Sequence, residues 1–273
     1  MFLSSSINKK KFPVNFFMVF ISMNELELSG VKVLPIVSGG IDSTTMLWYL
    51  KDRGAIIKEV LTVDYGQKHR KEIEMAKKIV NRFNEEFGLS VNHLIIDMSF
   101  LQKLLKSALT GDKEVPKEMY DAENQKVTVV PNRNMILISV AAGRAISIGA
   151  ELVAYAAHAS DYEVYPDCRP EFVEALDKAL RLGNLWTPVG VIAPFVRYTK
   201  AEIVKLGLKL RVPYELTWSC YEGKERPCLE CGTCLERTEA FLINKFKDPA
   251  LTDEEWSLAV KLYEKHKEAK KEA

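Results

Sequence analysis

The sequence predicts an α/β fold with a doubly wound, mostly parallel sheet and a small C-terminal metal-binding segment, and three observations point there. Short apolar or β-branched runs alternate with runs at helical spacing from residue 31 through the helix opened at Thr199, the pattern of βαβ units. A Ser-Gly-Gly turn joins the first strand to the first helix. Four of the five cysteines fall between Cys220 and Cys234, too clustered for a disulfide framework and well spaced for a metal.

The elements follow in order. Residues 31–37 are an apolar strand, although Pro35 cannot donate a ladder hydrogen bond and requires a break or bulge in the pairing beside it. Residues 42–53 carry Met46, Leu47, Tyr49 and Leu50 at helical spacing, with Gly54 as the stop. A β-branched strand at 59–63 leads to a long amphipathic helix at 68–87, closed by Gly88, and then to a strand at 93–96. Residues 104–124 lack periodicity, contain Gly111 and Pro116, and read as an insertion or mobile loop. An apolar helix at 134–148 ends at Gly149, a buried strand follows at 152–157, and a polar, aromatic-rich loop spans 159–170. A helix at 171–182 and a short strand at 191–193 precede Thr199-x-x-Glu202, a capping box. Thr252-x-x-Glu255 opens a charged terminal helix expected to fray after His266. In such folds ligands sit outside the carboxyl ends of the strands.

Composition narrows the function classes. The chain has 273 residues, 47% hydrophobic and 27% charged, which excludes a disordered chain and allows one large domain with an annex. The 38 basic and 37 acidic residues nearly cancel, which argues against a nucleic-acid binder with a basic body. Lys9-Lys10-Lys11 followed by the apolar run 14–21 imitates a secretory signal. No small-x-small cleavage site follows, and the run is too short to span a membrane. The expectation is an extension over 1–29 outside the fold, with Met23 the better start, and a cytoplasmic protein with no membrane partner. The α/β body is placed at 30–210 and the cysteine segment with the terminal helices at 211–273.

The first motif, Ser38-Gly39-Gly40-Ile41-Asp42-Ser43-Thr44, lies between strand and helix. Its glycines let backbone N–H groups approach an anion, its hydroxyls add donors, and the helix N-terminus adds a favourable dipole. Asp42 would repel bare phosphate, so its presence implies Mg²⁺ between carboxylate and phosphates. Neither a Walker loop nor G-x-G-x-x-G is present. The second motif, Cys220-x7-Cys228-x2-Cys231-x2-Cys234, supplies four thiolates for a closed, structural Zn²⁺ site, with an iron–sulfur cluster as the alternative. Cys168 stands apart and reads as a small buried residue.

The string around Gly39 resembles the pyrophosphate loop of the ATP pyrophosphatase superfamily. Further stretches narrow the resemblance: Val63-Asp64-Tyr65-Gly66-Gln67-Lys68-His69, Val130-Pro131-Asn132-Arg133-Asn134, Tyr165-Pro166-Asp167-Cys168-Arg169 and the four cysteines. Together, over about residues 31–241, they resemble the 7-cyano-7-deazaguanine synthase family of queuosine and archaeosine biosynthesis. One departure is the loop Ser160-Asp161-Tyr162-Glu163-Val164, where a familiar glycine is replaced.

The resemblance implies an adenine nucleotide alpha hydrolase-like fold and an ATP-dependent carbon–nitrogen ligase. It would join 7-carboxy-7-deazaguanine and ammonia into 7-cyano-7-deazaguanine through an activated carboxylate and an amide. Adenylation predicts AMP and pyrophosphate as products, against the ADP and phosphate of the usual net equation. The implied ATP-binding set is Val37, Ser38, Gly39, Gly40, Ile41, Asp42, Ser43, Thr44, Thr45, Met46 and Leu47, with Asp64, Tyr65 and Gln67 facing adenosine. Asp42, Ser43, Arg133 and Lys200 are the implied catalytic residues. Asp161, Tyr162, Asp167 and Arg169 are expected to hold the substrate, Asp at its guanine-like N–H edge and Arg169 on its carboxylate. Neither His69 nor His158 is given a role. The family is often homodimeric, and no nucleic-acid partner is implied. A transfer-RNA-modifying enzyme on the same loop and a non-catalytic nucleotide-binding module remain the alternatives.

Overall fold

A computed structural model describes residues 27–111, 114–117 and 124–272. The Lys9–Lys11 run, the start at Met23 and parts of the 104–124 stretch lie outside the described residues. The central strand is β1 (Lys32–Pro35). On one side it pairs in parallel with β5 (Leu152–Ala154), which pairs with β6 (Gly190–Ile192). On the other side lies β2 (Ile56–Ile57), a two-residue strand that the sequence pattern does not show. After a two-residue break the chain continues as β3 (Val60–Asp64), parallel to β4 (His93–Asp97). Val37 N–H donates to the Leu61 carbonyl, 2.8 Å, and Ile36 bridges Leu61. The order across the fold is therefore β4, β3 with β2, β1, β5, β6, every pair parallel.

The break explains Pro35. The Ile36 N–H donates to Ala154 on the β5 side, and Val37 N–H to Leu61 on the opposite side. Alternation along the strand turns the Pro35 nitrogen toward the β2–β3 side. There Lys58 N–H already donates to Val33 O, and the next ladder position falls in the gap at residues 58–59. The absent donor meets an absent partner, so a proline is accommodated in a central strand.

Helices cover both faces of the sheet, and alternate strand residues feed two cores. On one face Leu34, Leu61, Val63, Val153 and Val191 pack with α4 (Arg133–Ile148) and α5 (Pro170–Gly183). On the other, Val33, Val37, Val60 and Ile192 pack with α1 (Ile41–Asp52), α2 (Lys71–Phe87) and α6 (Lys200–Lys209). Helix α2 buries Ala76, Ile79, Val80 and Phe83 at i, i+3, i+4, i+7 spacing and ends at Gly88 in the left-handed region, φ 61°. It begins three residues later than its apolar pattern implies, because residues 66–70 form a turn. A single turn, α3 (Leu101–Leu104), follows β4.

The cysteine segment ends in α7 (Gly232–Ile243), whose Phe241 shares a core with Val204 of α6. The terminal helix α8 (Asp253–Glu272) runs past His266 to Glu272 rather than fraying there. Its expected capping box is present: Glu255 N–H donates to Thr252 Oγ1, 3.2 Å, and Thr252 N–H to the Glu255 carboxylate, 3.0 Å. Among the described residues no helix is long and apolar enough to cross a membrane.

Tyr214 locks α1 to α6. Its hydroxyl lies 2.8 Å from Thr45 Oγ1 and 3.3 Å from the Ile203 carbonyl, and it can reach them only because residue 207 has no side chain. A Cβ there would overlap the phenol. Gly207→Ala is expected to destabilise the fold by about 1–3 kcal/mol, the usual penalty of overpacking, read as a lower denaturant midpoint at unchanged slope.

Candidate active site and metal centre

One cleft of about 240 Å³ opens where β1 and β5 send their connections in opposite directions. The turn after β1 forms its floor. Gly39 has φ +100°, and a Cβ at that position would collide with the backbone carbonyl of Glu72 in α2. Only glycine allows the turn and helix α2 to come this close. Gly40 caps α1 with extended backbone and no side-chain hydrogen bond, which leaves the helix N-terminus open to an anion. The hydroxyls are already arranged: Ser38 Oγ and Ser43 Oγ are 3.1 Å apart, and Ser38 N–H donates to Ser43 Oγ at 3.1 Å.

Beside the loop lies a nearly buried charge cluster. Lys200 Nζ is 2.6 Å from Asp42 Oδ2 and 3.5 Å from Glu236 Oε2. His158 Nε2 is 3.6 Å from the same Asp42 oxygen and 3.3 Å from Asp161 Oδ2. The Thr199–Glu202 capping box fixes the start of α6, and Lys200 N–H donates to Ser160 Oγ, 3.2 Å, so the lysine is set against the loop that carries Asp161. Burial alone would raise the Asp42 pKa, but Lys200 and His158 hold it well below the usual carboxylate range. Burial opposes charge on Lys200 and His158 as well, and the carboxylates outweigh it and keep both protonated forms favoured. Glu236 is pushed up by burial, with Lys200 and His158 pulling the other way. Asp42 Oδ1, His158 Nδ1 and Glu236 Oε1 are buried without a partner, three polar atoms of cleft residues with unused capacity.

The far end of the cleft is aromatic. Arg133, the first residue of α4, stands 5.9 Å from the centre of the Tyr65 ring and 6.0 Å from that of Tyr165. Gln67 accepts the Tyr65 N–H at 2.9 Å, holding the turn after β3. Tyr155 and Tyr221 complete this end.

The residues expected from sequence are dispersed more widely than the motifs imply. Val37, Ser38, Gly40, Ile41, Asp42, Ser43, Tyr65, Gln67, Arg133, Asp161 and Lys200 line the cleft. Thr44, Thr45, Met46 and Leu47 are buried inside α1, and Gly39 acts through backbone geometry. Asp64 turns back to accept Gly66 N–H at 3.0 Å and to pair with Arg70. Tyr162 donates its hydroxyl to the Val196 carbonyl, Asp167 accepts from Asn134 N–H at 3.3 Å, and Arg169 Nε donates to the Tyr162 carbonyl at 2.8 Å. None of these four side chains lines the cleft. Conversely, Glu72, Glu236, His69 and His158 do. The two histidines were visible as titratable residues, whereas Glu72 looks like an ordinary first-turn helix acid and Glu236 like an ordinary acid inside a helix.

The cysteines converge. The sulfurs of Cys220, Cys228, Cys231 and Cys234 all lie within 4.8 Å of one another. A tetrahedral ion with bonds of about 2.3 Å needs sulfurs somewhat under 4 Å apart, so the set suits one metal ion. Cys228 N–H points at Cys220 Sγ and Cys231 N–H at Cys228 Sγ, both 3.3 Å, and Leu229 takes a left-handed φ of 64° to close the knuckle. The centre is tied to the cleft. Trp218 N–H donates to Gly39 O at 2.9 Å, Trp218 Nε1–H to Cys220 O at 2.8 Å, and α7, anchored by Cys231 and Cys234, carries Glu236 into the charge cluster.

Comparison with known proteins completes the picture. Residues 32–245 match the family model described as "Queuosine biosynthesis protein QueC". A 7-cyano-7-deazaguanine synthase from Archaeoglobus fulgidus is 61% identical over 235 residues, 86% of this chain and 95% of the relative. The one from Hahella chejuensis is 46% identical over 232 residues, 83% of this chain and 96% of the relative. Among solved structures, the U34-tRNA thiolase NcsA from Methanococcus maripaludis is similar with a TM-score of 0.43 at 18% identity, covering 88% of this chain and 72% of that one. Matched along most of its length by the family model, and covering nearly the whole length of two curated synthases, the chain belongs to the 7-cyano-7-deazaguanine synthase (QueC) family.

Proposed function

We propose that the chain makes 7-cyano-7-deazaguanine from 7-carboxy-7-deazaguanine, ammonia and ATP, by way of an adenylated carboxylate and an amide. The observation that carries this reading is the convergence in one cleft of the Gly39–Gly40 turn, the Asp42–Lys200 pair and Arg133. A carboxylate reacts with ammonia only after its oxygen becomes a good leaving group. A site that holds pyrophosphate at a helix N-terminus while cations face the α-phosphate favours transfer of the adenylyl group. Removing the amide oxygen to form the nitrile calls for the same activation a second time.

Each group then has a task. Ser38, Gly39, Gly40 and Ser43 hold the β,γ-phosphates, and Thr44 accepts no cleft ligand because its hydroxyl donates to Gly40 O at 2.7 Å. Asp42 Oδ1, buried and unpartnered, fits a Mg²⁺ accompanying the nucleotide, which would supply charge neutralisation. Lys200, held by Asp42 and Glu236, meets the phosphates when their charge replaces those carboxylates. Arg133 neutralises charge developing between phosphate and carboxylate, and its aromatic neighbours keep water away from it. Asp161 is the substrate-loop carboxylate that faces the cleft. The four cysteines hold Zn²⁺ with no open position, so the ion's contribution is structural.

The direct test incubates folded, metal-replete protein with 7-carboxy-7-deazaguanine, ammonium and Mg-ATP and follows the nitrile by mass spectrometry. Nitrile with AMP and pyrophosphate is expected; its complete absence would sink the reading. Asp42→Asn should lower turnover by about 10²–10³-fold while the circular dichroism spectrum stays unchanged. Elemental analysis should find about one zinc per chain, and a strong chelator should lower the thermal midpoint together with activity. A visible absorption band with iron in its place would overturn the zinc assignment.

A further inference from the structure

Glu72 is a cleft acid with no part in the adenylation. It sits in the first turn of α2, its side chain 14% exposed, its Oε2 3.4 Å from Nε2 of His69. The His69 side chain is 3% exposed, its Nδ1 is buried without a partner, and its ring lies 5.4 Å from that of Tyr221. Both residues line the cleft between its two working ends. The charges that reach Glu72 come from both: Arg133 of α4 on the aromatic side, Asp42 of α1 and Lys200 of α6 on the phosphate side. The glycine contact pins it there, because the backbone carbonyl of Glu72 is the atom that excludes a side chain from residue 39.

We propose that Glu72, with His69 beside it, takes up ammonium ion and removes its proton. The proposal rests on the ligase reading above. Ammonia reaches a protein at neutral pH almost wholly as ammonium, which has no lone pair to attack with. A small cation in this cleft finds a carboxylate, a free imidazole nitrogen and the Tyr221 ring at one place. In the step, an N–H bond of ammonium breaks and an O–H bond forms on the Glu72 carboxylate. The freed lone pair makes the C–N bond to the activated carboxyl carbon. The C–O bond to the nucleotide breaks, its electron pair leaves with the phosphate, and the surplus proton on nitrogen passes to that phosphate.

The protonation states suit the task. Burial pushes the Glu72 pKa up to about 8; Arg133 and Lys200 oppose the rise and Asp42 adds to it. That places it in the range where a base can take a proton from ammonium and give it up again. Burial, and then Arg133, depress His69 to about 3, so its ring is neutral and its free Nδ1 can accept an N–H. Glu72 must be ionised to receive the proton, so the rate at fixed total ammonium rises with pH through about 8.

The test measures kcat/KM for total ammonium against pH in the wild type, Glu72→Gln and His69→Gln. Acid-dependent ATP–pyrophosphate exchange without ammonia runs alongside. The wild type should give a bell whose falling limb lies above the pKa of ammonium, where the cation disappears. Glu72→Gln should lose about 10²-fold near neutrality, should rise to a plateau instead of falling, and should keep its exchange activity. His69→Gln should raise KM for ammonium without moving that for the acid.

If Glu72→Gln and wild type share one pH shape, the proposal is overturned. It is also overturned if the substitution raises KM for 7-carboxy-7-deazaguanine and leaves ammonium untouched, because Glu72 then reads the purine-like edge. Should the variant fail to fold, a wild-type profile that does not fall above the pKa of ammonium overturns it on its own. Absence of exchange in the wild type would instead defeat the adenylation reading, a separate failure.

Discussion

Everything in the cleft depends on one close approach, that of the Glu72 carbonyl to Gly39. A turn with φ +100° and no side chain lets the first turn of α2 lie against the loop after β1. The Gly39 carbonyl receives the Trp218 N–H from the segment before the cysteines. Strand, two helices and the metal-binding segment therefore meet at a single residue. The helices and the C-terminal part bring polar groups to the cleft: Asp42 and Ser43 from α1, Glu72 from α2, Ser219 and Glu236 from the C-terminal part. Steric room at one backbone position decides whether these groups share a cavity.

The second organising fact is electrostatic. Three carboxylates, Asp42, Asp161 and Glu236, share two cations, Lys200 and His158, at low exposure. Buried charges are tolerable only when paired. The pairing here is uneven, with one oxygen of Asp42 and one of Glu236 left over. By formal count the cluster has one carboxylate more than cations, burial favours the protonated form of Glu236, and places for a cation are left. On the proposed function, the phosphates of a nucleotide would take the place of carboxylates on Lys200, exchanging one set of ion pairs for another without placing an isolated charge in the interior.

The sequence showed what is encoded locally. The Ser-Gly-Gly turn, the cysteine spacing, the Thr199 capping box and the alternation of strands and helices are each readable within a window of fifteen residues. What escaped was set by distance along the chain. Lys200 meets Asp42 across 158 positions, and Glu236 reaches Lys200 from α7, the helix that Cys231 caps. In the stretch 161–169, motif membership translated into placement at the cleft for only some side chains. Tyr162, Asp167 and Arg169 bond to the neighbouring backbone, while Cys168 and Tyr165 point inward to the cleft. Pro35 looked like a broken rule, and the gap at residues 58–59, which meets it, lies in a strand whose interruption has no side-chain signature.

The Trp218 bridge makes the metal centre and the phosphate loop thermodynamic neighbours. Its backbone holds the Gly39 carbonyl and its indole holds Cys220, so one residue senses the order of both sites. If the proposed nucleotide and metal both bind, linkage through this residue would run in both directions: a nucleotide that steadies the loop would tighten the grip on the metal, and the metal the grip on nucleotide by the same factor. On the proposed function, an ion with no chemistry of its own would then become, through one tryptophan, a term in the affinity for the nucleotide.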